Sequence, residues 1–286
     1  MTTWKELLKS GATYLETNNV DDFLFEATQL LLTFFQSDYN NFLLHSSDSP
    51  DLSQIDSYNN LLKRRVEGEP LQYILGKWDF YNSEFFVGKG VLIPRPETEE
   101  LVDRCIALIR KNNYKVIYDL CTGTGCIGIS VAKECPDVKC YLFELYDEAF
   151  SYAQKNINSC GVSNVTLIRH DVLEAYKGAI PDADMIISNP PYIESDEIAT
   201  LQKEVLEEPL TALDGGTDGL VFYRRFLSDW TERLNVSGYF AFECGENQTD
   251  AIASLADDRF ITETKKDIYG NNRFVYLHKV KEDNKC

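Results

Sequence analysis

The sequence predicts an α/β fold, a doubly wound seven-stranded sheet preceded by a small helical domain. Three observations predict it. Past Pro96, apolar runs of strand length alternate with segments of helical period, at 116–120, 139–145, 166–170, 184–188 and 238–244, and the chain ends in a hairpin near 260–278. The first of these strands runs directly into a glycine-rich loop and a helix. Upstream, from Trp4 to about Val66, the text is helical throughout.

In chain order, Asp21 or Asp22 is expected to cap an apolar-striped helix through Phe35, and Ser53 to open another that ends by Gly68. Lys63, Arg64 and Arg65 fall near the end of that helix, where cations favour the dipole, so we read them as a cap. Trp78-Asp79-Phe80 and Phe85-Phe86-Val87 flank Tyr81-Asn82-Ser83-Glu84 as a hairpin. The expected division is therefore a helical domain over 1–75, a hairpin linker over 76–93 and the sheet domain over 94–286. No internal repeat or low-complexity linker interrupts it.

The first chemical site follows the strand Val116-Ile117-Tyr118-Asp119-Leu120. Cys121-Thr122-Gly123-Thr124-Gly125-Cys126 makes a loop ahead of a helical segment. Gly123, Gly125 and Gly128 let the backbone approach a ligand and the helix pack on the strand, while the helix N-terminus offers unpaired N–H groups. The next strand ends in Glu144, about 20 residues on, where an acid can hold ribose hydroxyls. A solvated strand-end acid is the plainer alternative. Taken alone, the glycine spacing also fits a dinucleotide, so a dehydrogenase competes at this point.

The second site decides between them. Met185-Ile186-Ile187-Ser188 is an apolar strand that runs into Asn189-Pro190-Pro191-Tyr192. Two prolines stiffen the turn and keep the Pro190 carbonyl out of any ladder, and the Asn189 side chain supplies a second carbonyl. Together they can accept both hydrogens of a planar NH2 group while Tyr192 covers its face. Hydride transfer has no use for such a clamp; methyl transfer to an amide or aromatic amine does. The glycine loop then cradles the methionine end of S-adenosylmethionine, with Asp119 placed to meet its ammonium. An Asn-Pro turn opener is the bland alternative. Ligands of open α/β sheets bind outside the carboxyl ends of the strands, which here carry Gly123, Glu144, Asp171-Val172 and Asn189, so these converge. Asp171 could equally be a helix N-cap.

Composition narrows the substrate. A net charge of −18 over 286 residues argues against a duplex-binding surface and for a protein partner. Cysteines at 105, 121, 126, 135, 140, 160, 244 and 286 include no Cys-x-x-Cys pair, and His45, His170 and His278 lie far apart, so no metal site is expected and reduced thiols fit. The N-terminus lacks an apolar signal core, and runs such as Leu30-Leu31-Leu32 are too short to span a bilayer. A soluble, cytoplasmic protein is expected.

The pairing of Asp-Leu-Cys-Thr-Gly-Thr-Gly at 119–125 with Ser-Asn-Pro-Pro-Tyr-Ile at 188–193 resembles S-adenosylmethionine-dependent amino-methyltransferases. Four further segments narrow the resemblance to peptide chain release factor N5-glutamine methyltransferases of the HemK type. They are 68–76 (Gly-Glu-Pro-Leu-Gln-Tyr-Ile-Leu-Gly), 92–99 (Leu-Ile-Pro-Arg-Pro-Glu-Thr-Glu), 208–213 (Glu-Pro-Leu-Thr-Ala-Leu) and 267–273 (Asp-Ile-Tyr-Gly-Asn-Asn-Arg). The resemblance covers most of the chain from about Arg64 and is weaker before it. It implies a Rossmann-like methyltransferase sheet of order 3-2-1-4-5-7-6 and a glutamine substrate in the Gly-Gly-Gln tripeptide of class I release factors. It further implies contacts of Asp171 and Val172 with adenine. The chain departs from the family in having Glu144 where Asp is usual and Val172 where tryptophan is sometimes seen, which puts the adenine pocket in doubt.

On this reading, Asp119, Cys121, Thr122, Gly123, Thr124, Gly125, Glu144, Asp171, Val172 and Asn189 hold the cofactor. Asn189, Pro190 and Tyr192 do the chemistry, and Pro191 and Arg95 join them in binding substrate; Glu97 is either a cleft residue or a helix-start acid. Two acceptors on the amide N–H groups push electron density back onto nitrogen, so no catalytic histidine is expected. The expected partners are class I release factors recognised by the helical domain, with no direct nucleic-acid or membrane binding and a monomeric state. Adenine-N6 methylation of nucleic acid is the alternative that the same clamp could serve, and a noncatalytic nucleotide-binding module is the third.

Overall fold

In the computed structural model, which describes residues 2–281, the chain divides into two units, one running to Lys77 and taking in Gln202–Glu207, the other Trp78–Leu201 resuming at Glu208. Cys286 lies outside the described residues.

The helical unit begins with α1 (Trp4–Thr17), opened by a capping box in which the Thr3 hydroxyl accepts from the Glu6 amide and the Glu6 carboxylate from the Thr3 amide. α2 (Phe23–Leu32) follows Asp22, which makes no side-chain cap. The stripe expected to run on through Phe35 changes at Thr33 into a 3-10 turn. α3 (Tyr39–His45) is capped by Asp38. α4 (Leu52–Val66) starts earlier than Ser53, because Asp51 and Gln54 cap each other's backbone while the Ser53 hydroxyl donates to Asp51 at 2.6 Å. α5 (Leu71–Leu75) ends at Gly76. Leu15, Leu30, Leu31 and Tyr58 fill the core between these helices.

The basic cluster corrects an expectation. Lys63, Arg64 and Arg65 do lie in the last turn of α4. Arg65, however, is buried and pairs with Glu26 of α2 and, at 2.9 Å, with Glu204 of the returning segment. Arg64 forks onto Glu69 at 2.6 and 2.7 Å. Lys63 lies 3.7 Å from Glu67 one turn on, so all three cations are paired within the unit.

In the second unit β1 (Lys77–Phe80) and β2 (Ser83–Phe86) form a two-stranded sheet. Its turn is Tyr81-Asn82, with Tyr81 at φ 55°, tighter than the four-residue turn expected. There follow α6 (Pro96–Asn112), β3 (Val116–Leu120), α7 (Cys126–Glu134), β4 (Lys139–Glu144), α8 (Asp147–Cys160), β5 (Val165–Arg169) and β6 (Ala183–Ser188). The chain returns to the helical unit for α9 (Lys203–Leu206), and the second unit resumes with α10 (Val221–Arg225), β7 (Leu234–Glu243), α11 (Thr249–Leu255), β8 (Phe260–Lys266) and β9 (Asn272–Lys279).

The large sheet has the order β5-β4-β3-β6-β7-β9-β8, with β9 antiparallel to both neighbours and the other pairs parallel. Counted from β3, this is the 3-2-1-4-5-7-6 order that the resemblance implied. β7 begins at Leu234, ahead of the expected 238, and its pairing with β6 shifts register between Ala183 and Met185. Ile117 and Met185 pack on one face, Tyr118 and Ile186 on the other, so the central strands are buried on both sides and read as continuous apolar runs. The parallel strands therefore end together at one edge, where ligands of such sheets bind. Among the described residues no helix is long and apolar enough to cross a membrane.

Candidate active site

The loop after β3 is locked by its neighbours' carboxylates. Asp119, fully buried, accepts at Oδ2 from the Thr122 hydroxyl at 2.5 Å and the Gly128 amide at 2.9 Å. A side chain at 128 would run into Leu142, which explains the close fit of α7 on β4. Gly125 sits at φ 82°, a left-handed turn that swings the chain into α7. Cys121 holds φ 58° although it is not glycine. Behind the loop, the Asn156 amide donates to the Thr124 carbonyl at 2.9 Å.

Glu144, at the end of β4, accepts from Gly123 N at 2.9 Å, from Leu145 N at 2.9 Å and from Tyr146 N at 3.0 Å. Burial raises its carboxyl above the usual range, and these three amides oppose the shift. It is thus a brace for the glycine loop as well as an acceptor; a carboxylate has about four lone-pair sites, so capacity for a hydroxyl remains. Asp171 accepts from Leu173 N at 2.9 Å and its carbonyl accepts from Glu174 N. That is an Asx turn rather than the helix N-cap considered above, since the connection from β5 to β6 contains no helix. Val172 is buried, with its carbonyl accepting from Trp230 Nε1 at 2.9 Å.

At the end of β6 the pattern changes. Asn189 directs its Nδ2 inward to Thr98 Oγ1 at 3.2 Å, and the Thr98 hydroxyl reaches Glu243 Oε2 at 2.7 Å. Among the described residues, none donates to Asn189 Oδ1 or to the Pro190 carbonyl. The turn is pinned by Ile193 N to Leu213 O at 2.9 Å and Gly215 N to Ile193 O at 2.8 Å, and Gln248 Nε2 donates to the Tyr192 carbonyl at 2.8 Å. Burial, together with the nearby Glu243, raises the Tyr192 phenol far above its ordinary value, so the ring stays neutral. Arg95 donates to the buried Glu208, which also accepts from Ile93 N at 2.9 Å. Glu97 stands in the first turn of α6, the helix-start position.

One cavity gathers Cys121, Glu144, Asp171, Val172, Asn189 and Pro191 on its wall. Asp119, Thr122, Gly123, Thr124 and Gly125 are not on that wall, nor are Pro190, Tyr192 and Arg95. Sequence reasoning missed Thr98 and Glu243, and also His170, Thr211 and Phe222 of the cavity wall. Glu243 could have been found, because it is an acid at the carboxyl end of a strand in the same sheet. Thr98 falls within the 92–99 segment that carries the resemblance, but nothing in that segment gives it a role.

A cofactor can be tested against these groups. Asp119 Oδ1 is buried without a hydrogen-bond partner, and burial pushes the carboxyl up to about 7. An orphaned carboxylate oxygen under a glycine loop fits a cationic amine, and a wall that joins Phe143, Val172, Leu173 and Phe222 with Asp171 fits a purine. The residues present therefore fit S-adenosylmethionine.

Comparison with known proteins agrees. A family model described as Methyltransferase small domain matches residues 103–231, and one described as PrmC N-terminal domain matches 6–76. A protein of Thermodesulfovibrio yellowstonii named release factor glutamine methyltransferase is 38% identical over 242 residues, covering 82% of this chain and 86% of that protein. One of the same name from Clostridium acetobutylicum is 35% identical over 277 residues, covering 94% and 95%. A third, from Bacillus subtilis, is 34% identical over 292 residues, covering 98% and 100%.

Proposed function

Because the chain belongs to the release factor glutamine methyltransferases, we propose that it methylates the side-chain amide nitrogen (N5) of a release factor glutamine, held by the Asn189 side chain and the Pro190 carbonyl. The observation that carries this reading is the pair of acceptors, Asn189 Oδ1 and Pro190 O, that face no donor among the described residues.

S-adenosylmethionine, when bound, would supply an electrophilic methyl: as the amide nitrogen bonds to it the sulfur–methyl bond breaks, sulfur leaves as a neutral thioether and one amide proton passes to water. Asp119 Oδ1 would hold the ammonium, with Cys121, Thr122, Gly123, Thr124 and Gly125 cradling the methionine end. Glu144 would accept from the ribose, and Asp171 and Val172 would frame the adenine. An amide nitrogen is a poor nucleophile because its lone pair is delocalised into the carbonyl. Asn189 and Pro190 would accept one N–H each, returning density to nitrogen and fixing its direction. Orientation of this kind can supply roughly 7–11 kcal/mol of barrier lowering. Pro191 and the neutral Tyr192 ring would close over the amide plane. Arg95, a third exposed and held on Glu208, keeps further donors for carbonyls of the substrate backbone.

The helical unit, matched by its own family model over 6–76, is the part we assign to recognising the folded partner. The finer reading is a class I release factor modified at Gly-Gly-Gln, with this chain acting as a cytoplasmic monomer. The test is mass spectrometry of purified release factor after incubation with isotope-labelled S-adenosylmethionine. One labelled methyl on the glutamine amide is expected; an unmodified factor would refute the substrate.

A further inference from the structure

We infer that Thr98 and Glu243 are positioning residues that decide which end of the Asn189 amide faces the substrate. The inference rests on the function proposed above and adds to it the device that makes the clamp polar in one direction. An asparagine amide has a donor end and an acceptor end of nearly equal size, so shape alone does not choose between them. If Nδ2 faced the cavity, it would meet the N–H groups of the substrate donor to donor, and the clamp would be lost.

Hydrogen-bond counting settles the choice. An ionised carboxylate only accepts, so Glu243 Oε2, 2.7 Å from Thr98 Oγ1, takes the single hydroxyl proton. Thr98 Oγ1 is left with lone pairs alone. Of the two ends of Asn189, only Nδ2 can satisfy them, and it lies 3.2 Å away. Oδ1 is thereby the end left without a donor among the described residues, on a side chain that lines the cavity. Thr98 and Glu243 are each only 2% exposed, so water does not compete for this chain. Glu243 is anchored in turn, its carbonyl accepting from the Tyr223 hydroxyl at 2.7 Å. The pair joins the first turn of α6 to the last residue of β7, bracketing the end of β6.

The selection holds only while Glu243 is ionised. A protonated carboxyl could donate to Thr98, freeing the hydroxyl proton for Asn189 Oδ1 and permitting the inverted amide. Burial pushes this carboxyl up to about 7, against the Thr98 hydrogen bond and the charge of Arg273. Glu97 adds to the rise and Arg95 opposes it, while the Tyr192 and Tyr223 phenols and the Cys126 and Cys244 thiols also face the group. Methyl transfer should therefore increase as pH rises through about 7.

Three variants test this with two readouts. Thr98→Val should lower kcat about 100-fold, the scale of a misplaced catalytic group. The KM for release factor and the Kd for S-adenosylmethionine should stay within about threefold, and Thr98→Ser should recover most of the lost kcat. Glu243→Gln should lower kcat and flatten its rise around pH 7. The second readout needs no substrate: hydrogen exchange at the Asn189 side-chain NH2, followed by NMR and assigned through its disappearance in Asn189→Ala. Exchange should be slow in the wild type and in Thr98→Ser, and fast in Thr98→Val. Equal kcat in Thr98→Val and wild type, Thr98→Ser failing as Thr98→Val does, or unchanged exchange in Thr98→Val would overturn the inference. A wild type that leaves release factor unmethylated yet shows Thr98-dependent exchange would refute the proposed function and leave the positioning role standing.

Discussion

At the carboxyl ends of β3 and β4 the carboxylates are largely engaged by the protein itself, whereas at the end of β6 two carbonyl acceptors face no donor among the described residues. Glu144 takes three backbone amides and Asp119 takes an amide and a hydroxyl, leaving only Asp119 Oδ1 orphaned. Asn189 instead has its donor end tied down and its acceptor end open. The half proposed to hold the cofactor is thus braced in advance, by bonds between residues close in sequence or on adjacent strands. The proposed clamp is a pair of acceptors without a donor among the described residues, and side chains from α6 and β7 hold its Asn189 member. Damage to the first should appear as lost affinity, and damage to the second as lost turnover.

Asn189→Ala gives the largest expected effect. Loss of one aimed acceptor should lower turnover on the order of 100-fold or more, by analogy with removal of an oxyanion-hole donor. S-adenosylmethionine should still bind within about tenfold, because the cradle is intact. More than about a tenth of wild-type turnover in a methyl-transfer assay would dismiss the clamp.

Glu144→Ala should act the other way, weakening cofactor binding by about 2–3 kcal/mol on the scale of charge-assisted hydrogen bonds. Isothermal titration reads it directly. Unchanged affinity would reduce Glu144 to a strand-end acid and erase the contrast between the halves.

The buried carboxyls of Asp119 and Glu243 predict how the cofactor-free protein responds to pH. Burial pushes both up to about 7, above the roughly 4 of an unfolded chain. Their contribution to stability is therefore complete below about pH 4 and lost as pH rises through about 7. Asp119→Asn should flatten this fall by on the order of 2 kcal/mol, less than the shift alone implies because water entry and relaxation soften the penalty. Calorimetry at pH 5 and pH 8 checks it; an identical fall in the variant would assign the effect elsewhere.

The smallest effect is expected at Cys121. Its left-handed backbone costs roughly 1 kcal/mol, which glycine would relieve while adding a similar entropy to the unfolded chain. Cys121→Gly should move the denaturation midpoint by less than about 1 kcal/mol in stability. A loss above about 2 kcal/mol would mean that thiol packing, not strain, governs the residue.

The same contrast explains what could be read from the sequence. The glycine loop, Glu144 and the Asn-Pro-Pro-Tyr turn are contiguous motifs whose chemistry is written in neighbouring residues, and the sheet followed from strand-length apolar runs. The strand order came from family resemblance, since period does not encode neighbours. Thr98 lies inside a segment that carries the resemblance, yet a threonine in the first turn of a helix reads as helix-start polarity, and the role inferred for it exists only through Asn189 and Glu243, 91 and 145 residues away. Arg65 was misjudged for a related reason. Its position at a helix end was visible, but its partner Glu204 is 139 residues downstream. The start of α4 was missed by a shorter margin, because Ser53 and Asp51 are both good caps and only the reciprocal bond with Gln54 chooses between them.

The central claim is that the clamp receives a glutamine amide presented by a protein, and a competition decides it. Folded release factor and adenine-containing DNA and RNA would be offered together to the full-length enzyme with labelled S-adenosylmethionine, at about 50 mM salt where phosphate-binding enzymes hold nucleic acid most tightly. The account predicts label on the glutamine amide and none above background on adenine. Label on adenine at a rate matching or exceeding that on glutamine would contradict it.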